Sequence, residues 1–165
     1  MIVVILAAGY GKRMSELTEN TPKPLLKKDN KTLLDYKLEA LPEETSEVVM
    51  VIGYLGEKII ERYGYAYNKD IDDRTYGISS IPISYVWQKE MLGSAHALWE
   101  AKDLLTEGVE NELEVDPEST LHSFMVLMGD DIYAEEDLNE LAKHRFAVLV
   151  DEAPSGMKSG KCIVD

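Results

Sequence analysis

The chain has a single cysteine, Cys162, so it cannot close an internal disulfide and suits a reducing, cytoplasmic compartment. Basic residues are scarce as well. Seventeen Lys and Arg face 31 Asp and Glu, a formal net charge of −14, which argues against a basic face for nucleic acid. No apolar run approaches the roughly 20 residues that a membrane-spanning helix needs. The apolar amino end lacks a basic leader and is broken at Gly9, so it reads as a core strand and not as a signal peptide. The histidines, His96, His122 and His144, form no cluster with Cys162 that would hold zinc. Internal repeats, low-complexity tracts and interdomain linkers are missing too. With 45% hydrophobic residues, 165 residues suffice for one globular domain, 1–165, with an ordinary core.

What is present concentrates near the amino end. A β-branched apolar run, Ile2-Val3-Val4-Ile5-Leu6, enters Ala7-Ala8-Gly9-Tyr10-Gly11, the pattern of a buried strand running into a tight loop. So little side chain there lets main-chain N–H groups approach a ligand and converge into an anion nest. Lys12 and Arg13 follow, and Lys23 stands between Pro22 and Pro24, which hold it on a stiff extended segment. Arg13 offers a planar fork for phosphate oxygens, and Lys23 a mobile point charge. From Lys12 to Lys37 there are seven basic and four acidic residues, a cationic stretch in an acidic protein. Lys27, Lys28 and Lys31 in it read as a solvated face. The loop is neither a Walker sequence nor a G-x-G-x-x-G, yet its chemistry points to a small polyphosphate.

Strand and helix patterns alternate along the chain. Helical patterns cover 32–41, closed by Pro42, then 57–63, ended by Gly64, then 94–105 and 135–144. Strand patterns cover 48–52, 83–87, 124–128 and 146–150, and Ile163 and Val164 begin one more. The alternation predicts an α/β fold, a three-layer Rossmann-like, mostly parallel sheet flanked by helices. Ligands in such sheets bind at the carboxyl ends of strands. Leu6, Trp87 and Met128 end strands in this reading, which puts the glycine loop, Gln88 and Asp130 on one edge. Residues 65–80 read as a long loop, and 107–119 as a solvated acidic loop. Tyr63, Tyr65 and Tyr67 are read as packing or loop residues, and His122 and His144 as surface or loop residues.

The ordered motifs resemble those of the sugar-1-phosphate nucleotidylyltransferases. Leu6-Ala7-Ala8-Gly9-Tyr10-Gly11-Lys12-Arg13-Met14 is similar to that family's opening signature, and Pro22-Lys23-Pro24-Leu25-Leu26 to its second block. Ile52-Gly53-Tyr54-Leu55-Gly56-Glu57 looks like the segment after its second strand. Gln88 with Leu92-Gly93-Ser94-Ala95-His96-Ala97 resembles its base-recognition element, and Val126-Leu127-Met128-Gly129-Asp130 its metal-binding strand end. The resemblance runs from Ile2 to Asp165. It implies transfer of a nucleotidyl group from a nucleoside triphosphate to a sugar 1-phosphate, giving a nucleotide sugar and pyrophosphate. Arg13 and Lys23 would then act on the phosphates as catalytic residues, and Leu6, Ala7, Ala8, Gly9 and Gly11 would cradle the nucleotide. Gln88, whose amide both donates and accepts, would read the base with Gly93 and Ser94 beside it. Asp130 would hold Mg²⁺, which takes one or two carboxylates together with phosphates and water; its neighbour Asp131 is the other candidate. Ser94 is expected to cap its helix, and His96 to pack or complete that turn without catalysing. The motif leans toward UTP or dTTP.

The chain also departs from the family. The E-K-P block and second metal aspartate that follow the G-D strand have no counterpart, so most of the acceptor half is absent from this single domain. Lys158 and Lys161 cannot replace that lysine. A fragment, a natural short form, and half of a homo-oligomer or of an assembly with a complementing chain all stay open. So do two other functions: a nucleotide-binding module whose turnover is lost or partner-dependent, and a cytidylyltransferase acting on a non-sugar phosphate such as phosphocholine.

Overall fold

A computed structural model describes residues 1–11, 14–68, 80–106, 124–145 and 147–149. In chain order the elements are β1 (Ile2–Ala7), α1 (Ser15–Thr18), a 3₁₀ turn (Lys23–Leu25), β2 (Lys27–Lys28), β3 (Lys31–Thr32), α2 (Leu33–Glu39) and β4 (Glu47–Ile52). Then come α3 (Gly56–Tyr63), β5 (Ala66–Asn68), β6 (Ser80–Trp87), α4 (Ser94–Glu100), α5 (Lys102–Thr106), β7 (Phe124–Met128) and α6 (Glu135–Ala142). The main sheet has the order β5-β6-β4-β1-β7, and β2 and β3 form a small hairpin apart from it.

The apolar run of β1 is continuous because both faces of its sheet are covered. Val3, Ile5 and Ala7 meet Leu34, Leu38 and Leu41 in or just after α2, Ile59 of α3 and Leu138 of α6. On the opposite face Val4, Val49 and Val51 meet Ala97 and Ala101 in and beside α4. Helices on both faces make the expected three layers. β1 pairs in parallel with β4 and with β7, and β4 with β6, so Leu6 lies opposite Val51 and Met128, and Ile52 opposite Trp87. The carboxyl ends of β1, β6 and β7 therefore line up along one edge. Among the described residues no helix is long and apolar enough to cross a membrane.

Local chemistry explains the helix boundaries. Thr32 caps α2: its hydroxyl accepts from the Asp35 amide at 3.0 Å, while the Asp35 carboxylate accepts from the Thr32 amide at 2.7 Å. The same carboxylate accepts from Arg62 at 2.8 Å and from the Tyr63 hydroxyl at 2.7 Å, tying α3 to the start of α2. Tyr63 is thus a half-buried fastener between two helices, more than a packing or loop residue.

Four expectations need correction. The stretch expected as a loop over 65–80 contains β5, which pairs antiparallel with β6 through Ala66 opposite Pro82. Pro82 hid this extension, because proline donates nothing to a ladder and argues against a strand. The helix expected over 94–105 is two helices, bent at Ala101 where ψ falls to −3°. The strand expected near 146–150 is not there in residues 147–149, whose Val148 is 72% exposed; no described strand pairs with them. Ser94 does not cap α4, as described below. The acidic loop at 107–119 and the segment with Ile163 and Val164 lie outside the described residues.

Gly129, just past β7, is a close-approach glycine. Its amide donates to the Leu6 carbonyl at 2.9 Å, and a Cβ there would stand 2.5 Å from that oxygen and 2.9 Å from Ala7 Cα. Gly129→Ala must push β7 away from the end of β1. The expected cost is about 1–3 kcal/mol, the range for overpacked interiors, read as a lower urea midpoint. An unchanged midpoint would show that the strand ends can part freely.

Candidate active site

The aligned strand ends open into a cleft of about 340 Å³. Leu6, Ala7, Ala8, Gly9 and Gly11 line it from the end of β1, and Lys23 and Pro24 from the 3₁₀ turn. Gln88, Gly93 and Ser94 enter from the connection between β6 and α4, and Gly129 and Asp130 from the turn after β7. The structure thus gathers the described candidate residues, with the exception of the alternative metal ligand Asp131, into one cleft from segments far apart in sequence. Arg13 and Lys12 lie outside the described residues. Sequence reasoning missed the apolar wall made by Met14, Met91, Ala97 and Met128. Isolated methionines carry no periodic signal that would mark them.

Lys23 reaches the cleft because the chain around it is stiff. Pro22 is extended, and the turn closes with Leu25 N donating to Pro22 O at 2.8 Å and Leu26 N to Lys23 O at 3.0 Å. Upstream, the Tyr54 hydroxyl donates to Glu19 O at 2.9 Å, and Lys58 donates to Asn20 O. From this frame Lys23 Nζ donates to Asp130 Oδ2. Burial alone would push the Asp130 carboxyl upward; the Lys23 hydrogen bond and charge outweigh it and hold the group below the usual carboxylate range. The phosphate cation and the metal carboxylate proposed from sequence are therefore direct partners across the cleft.

Gln88 is 4% exposed, and its side chain is fixed. Its Nε2 donates to Gly93 O at 3.1 Å and lies 3.1 Å from His96 Nδ1. His96 Nε2 in turn lies 3.2 Å from Glu100 Oε1, so the neutral ring with its proton on Nε2 satisfies both contacts. His96 therefore orients Gln88, a role that neither packing nor turn completion describes. The expected Ser94 cap is not formed. Gly93 holds the N-cap position at φ 102°, a conformation glycine tolerates, and no side chain bonds there, which leaves Ser94 facing the cleft.

Below the Lys23–Asp130 pair lies a residue the sequence analysis gave no role. Lys37 of α2 has no exposed surface, and its ammonium donates to Asp131 O and, at 3.3 Å, to Leu33 O. The Tyr133 ring stands 5.9 Å from it. Burial pushes its pKa down to about 8, with Asp131 and Asp130 opposing the drop. A signal existed. Leu34, Lys37, Leu38 and Leu41 fall at i, i+3, i+4 and i+7, the spacing of one helix face, so Lys37 stands in the apolar stripe.

The site suits a hard divalent cation better than a metal cage. Asp130 is a half-buried carboxylate at the cleft wall, while no group of three metal-binding side chains exists among the described residues. Such a cation takes its remaining ligands from phosphates and water.

A parallel α/β sheet whose strand ends converge on a cleft with a glycine loop, a cation and a carboxylate is the ligand-binding arrangement of the doubly wound class. The comparisons narrow this. The chain matches the family described as Nucleotidyl transferase over residues 2–148 and belongs to it. It is 31% identical over its whole length to the UTP–glucose-1-phosphate uridylyltransferase AglF of Haloferax volcanii, spanning 60% of that protein. It is 30% identical over its whole length to the bifunctional protein GlmU of Methanocaldococcus jannaschii, spanning 33% of it. Among solved structures, UDP-glucose pyrophosphorylase complexed with UDP-glucose superposes with a TM-score of 0.59 at 24% identity, over 86% of this chain and 51% of that one. An inositol-1-phosphate CTP transferase from T. maritima gives 0.55 at 23% identity, over 85% and 47%. These two show the shared fold. The chain spans no more than three fifths of the curated relatives named here, 60% of one and 33% of the other.

Proposed function

We propose that this chain is the nucleotide-donor portion of a sugar-1-phosphate nucleotidylyltransferase, a single domain over 1–165 that lacks most of the acceptor half. One observation carries this reading: the glycine loop, Lys23, Gln88 and Asp130 line a single cleft. In the reaction, a phosphate oxygen of the sugar 1-phosphate attacks the α-phosphorus of the triphosphate. A new P–O bond forms, the bond from that phosphorus to the bridging oxygen breaks, and pyrophosphate leaves with its electrons. No covalent nucleophile is required, so positioning and charge neutralisation supply the rate. Lys23 holds the α-phosphate side, and Arg13, assigned from sequence alone, the departing pyrophosphate. Main-chain groups of Ala8, Gly9 and Gly11 cradle the nucleotide between Leu6 and Ala7 and the base pocket. Gln88, steadied by His96, reads the base edge beside Gly93 and Ser94. Asp130 would hold the divalent cation, Mg²⁺ in this reading, which would supply neutralisation of phosphate charge there. UTP is favoured over dTTP, CTP and GTP, consistent with the uridylyltransferase name of the Haloferax relative.

The test is calorimetric titration of the chain with four nucleoside triphosphates in Mg²⁺, beside pyrophosphate release over a panel of sugar 1-phosphates and phosphocholine. Saturable binding of UTP is expected, with slow or undetectable turnover, because an ill-placed acceptor phosphate alone costs about 10²-fold. Binding of none of the four would sink the donor-site reading. Fast release by this chain alone would refute the missing acceptor half.

A further inference from the structure

We propose that Lys37 is a positioning residue that sets where the Asp130 carboxylate stands, and so sets how strongly a divalent cation tightens nucleotide binding. The inference rests on the Asp130 role proposed above. Its basis is geometric. Lys37 lies in α2, and the amide of Leu33 at the head of that helix donates at 3.0 Å to Leu26 O, the residue that closes the Lys23 turn. From the same helix the ammonium reaches across to Asp131 O, in the turn that carries Asp130. One rigid helix therefore holds both halves of the Lys23–Asp130 pair. A merely structural tie at this place needs no charge. An ammonium buried without exposed surface is costly, and an apolar side chain of the same length would fill the space without that penalty. What the ammonium adds is a directed donor on the main chain beside the ligand carboxylate. Such supporting contacts orient ligating groups. The Asp131 carboxylate has no part in this bond, only its carbonyl oxygen.

The experiment uses UTP and MgCl₂ as probes and compares wild type, Lys37→Met and Asp130→Asn, each titrated with and without Mg²⁺. The quantity read is the factor by which Mg²⁺ tightens UTP binding. Lys37→Met should lower that factor by about 10–100-fold, the usual effect of losing a contact that orients a metal ligand. Metal-free UTP affinity should stay near wild type, and the thermal midpoint should stay level or rise. A purely structural lysine would instead lower the midpoint and weaken both affinities together. If Asp130→Asn loses the Mg²⁺ factor while Lys37→Met keeps it, the positioning role is wrong and the Asp130 reading stands. If Asp130→Asn keeps it, both fall. Should Lys37→Met fail to fold, Lys37→Leu, which likewise has no donor for Asp131 O, takes its place under the same criteria.

Discussion

Asp130→Asn is expected to bind UTP more tightly than wild type in EDTA and far less tightly in Mg²⁺. The crossing follows from the pair that occupies the cleft. In the wild type, Asp130 neutralises Lys23 and repels incoming phosphates. The amide removes that repulsion and frees the lysine, so metal-free affinity rises. The same change removes the carboxylate that would hold the cation. Neutralising phosphate charge by a bound cation is worth several kcal/mol, so affinity in Mg²⁺ should fall by roughly 10²-fold. Asp131→Asn is the control. Asp131 does not line the cleft, and its contact with Lys37 runs through the main-chain oxygen, so the Mg²⁺ titration should barely move. The opposite order of the two variants would transfer the ligand role to Asp131.

Lys23→Ala should weaken UTP binding in both conditions while leaving the fold intact. The side chain is 29% exposed and supports no core packing, so a circular dichroism spectrum should not change. Loss of one charge-assisted contact is worth about 1.5–3 kcal/mol, or roughly 10–150-fold in affinity. The effect should be larger without Mg²⁺, where the unpaired Asp130 then faces the phosphates alone. Equal calorimetric affinities for the wild type and the variant would remove Lys23 from the site. Pairing this change with Asp130→Asn closes a cycle in which the metal-free effects should not add, because the two side chains are direct partners.

The parts of the site that were legible in the sequence share one property: their chemistry is local. A glycine loop after a strand, a lysine between two prolines and a carboxylate after a strand each carry their meaning within a few residues. The parallel strand at 48–52 was legible for a similar reason, since burial on both faces writes a continuous apolar run. What stayed hidden depends on partners distant in the chain. Lys37 was counted among the cations of the amino-terminal stretch, although its place in the Leu34-Leu38-Leu41 stripe already put it on the buried face. Nothing local says that the carbonyl of Asp131 waits above it. His96 likewise gains its role only when Gln88 arrives from the end of β6. β5 was missed because Pro82, in its partner strand, carries the usual mark of a non-strand.

The position of β1 bears on the order in which the molecule assembles. Its partner β4 arrives early in the chain, after α1, the small hairpin and α2, and β6 extends the same sheet. β7 must close a much longer loop to reach the other side of β1, and contacts of that kind form late in folding. The glycine loop and the Lys23 turn therefore belong to the early-forming part, while Asp130 is carried in by β7, the last strand in chain order among the described residues. As the chain emerges from synthesis, the cleft first exists as a cationic half without its acid. Lys23 has no Asp130 to pair with until β7 docks, so the ion pair between them forms after the rest of the β1 neighbourhood is in place.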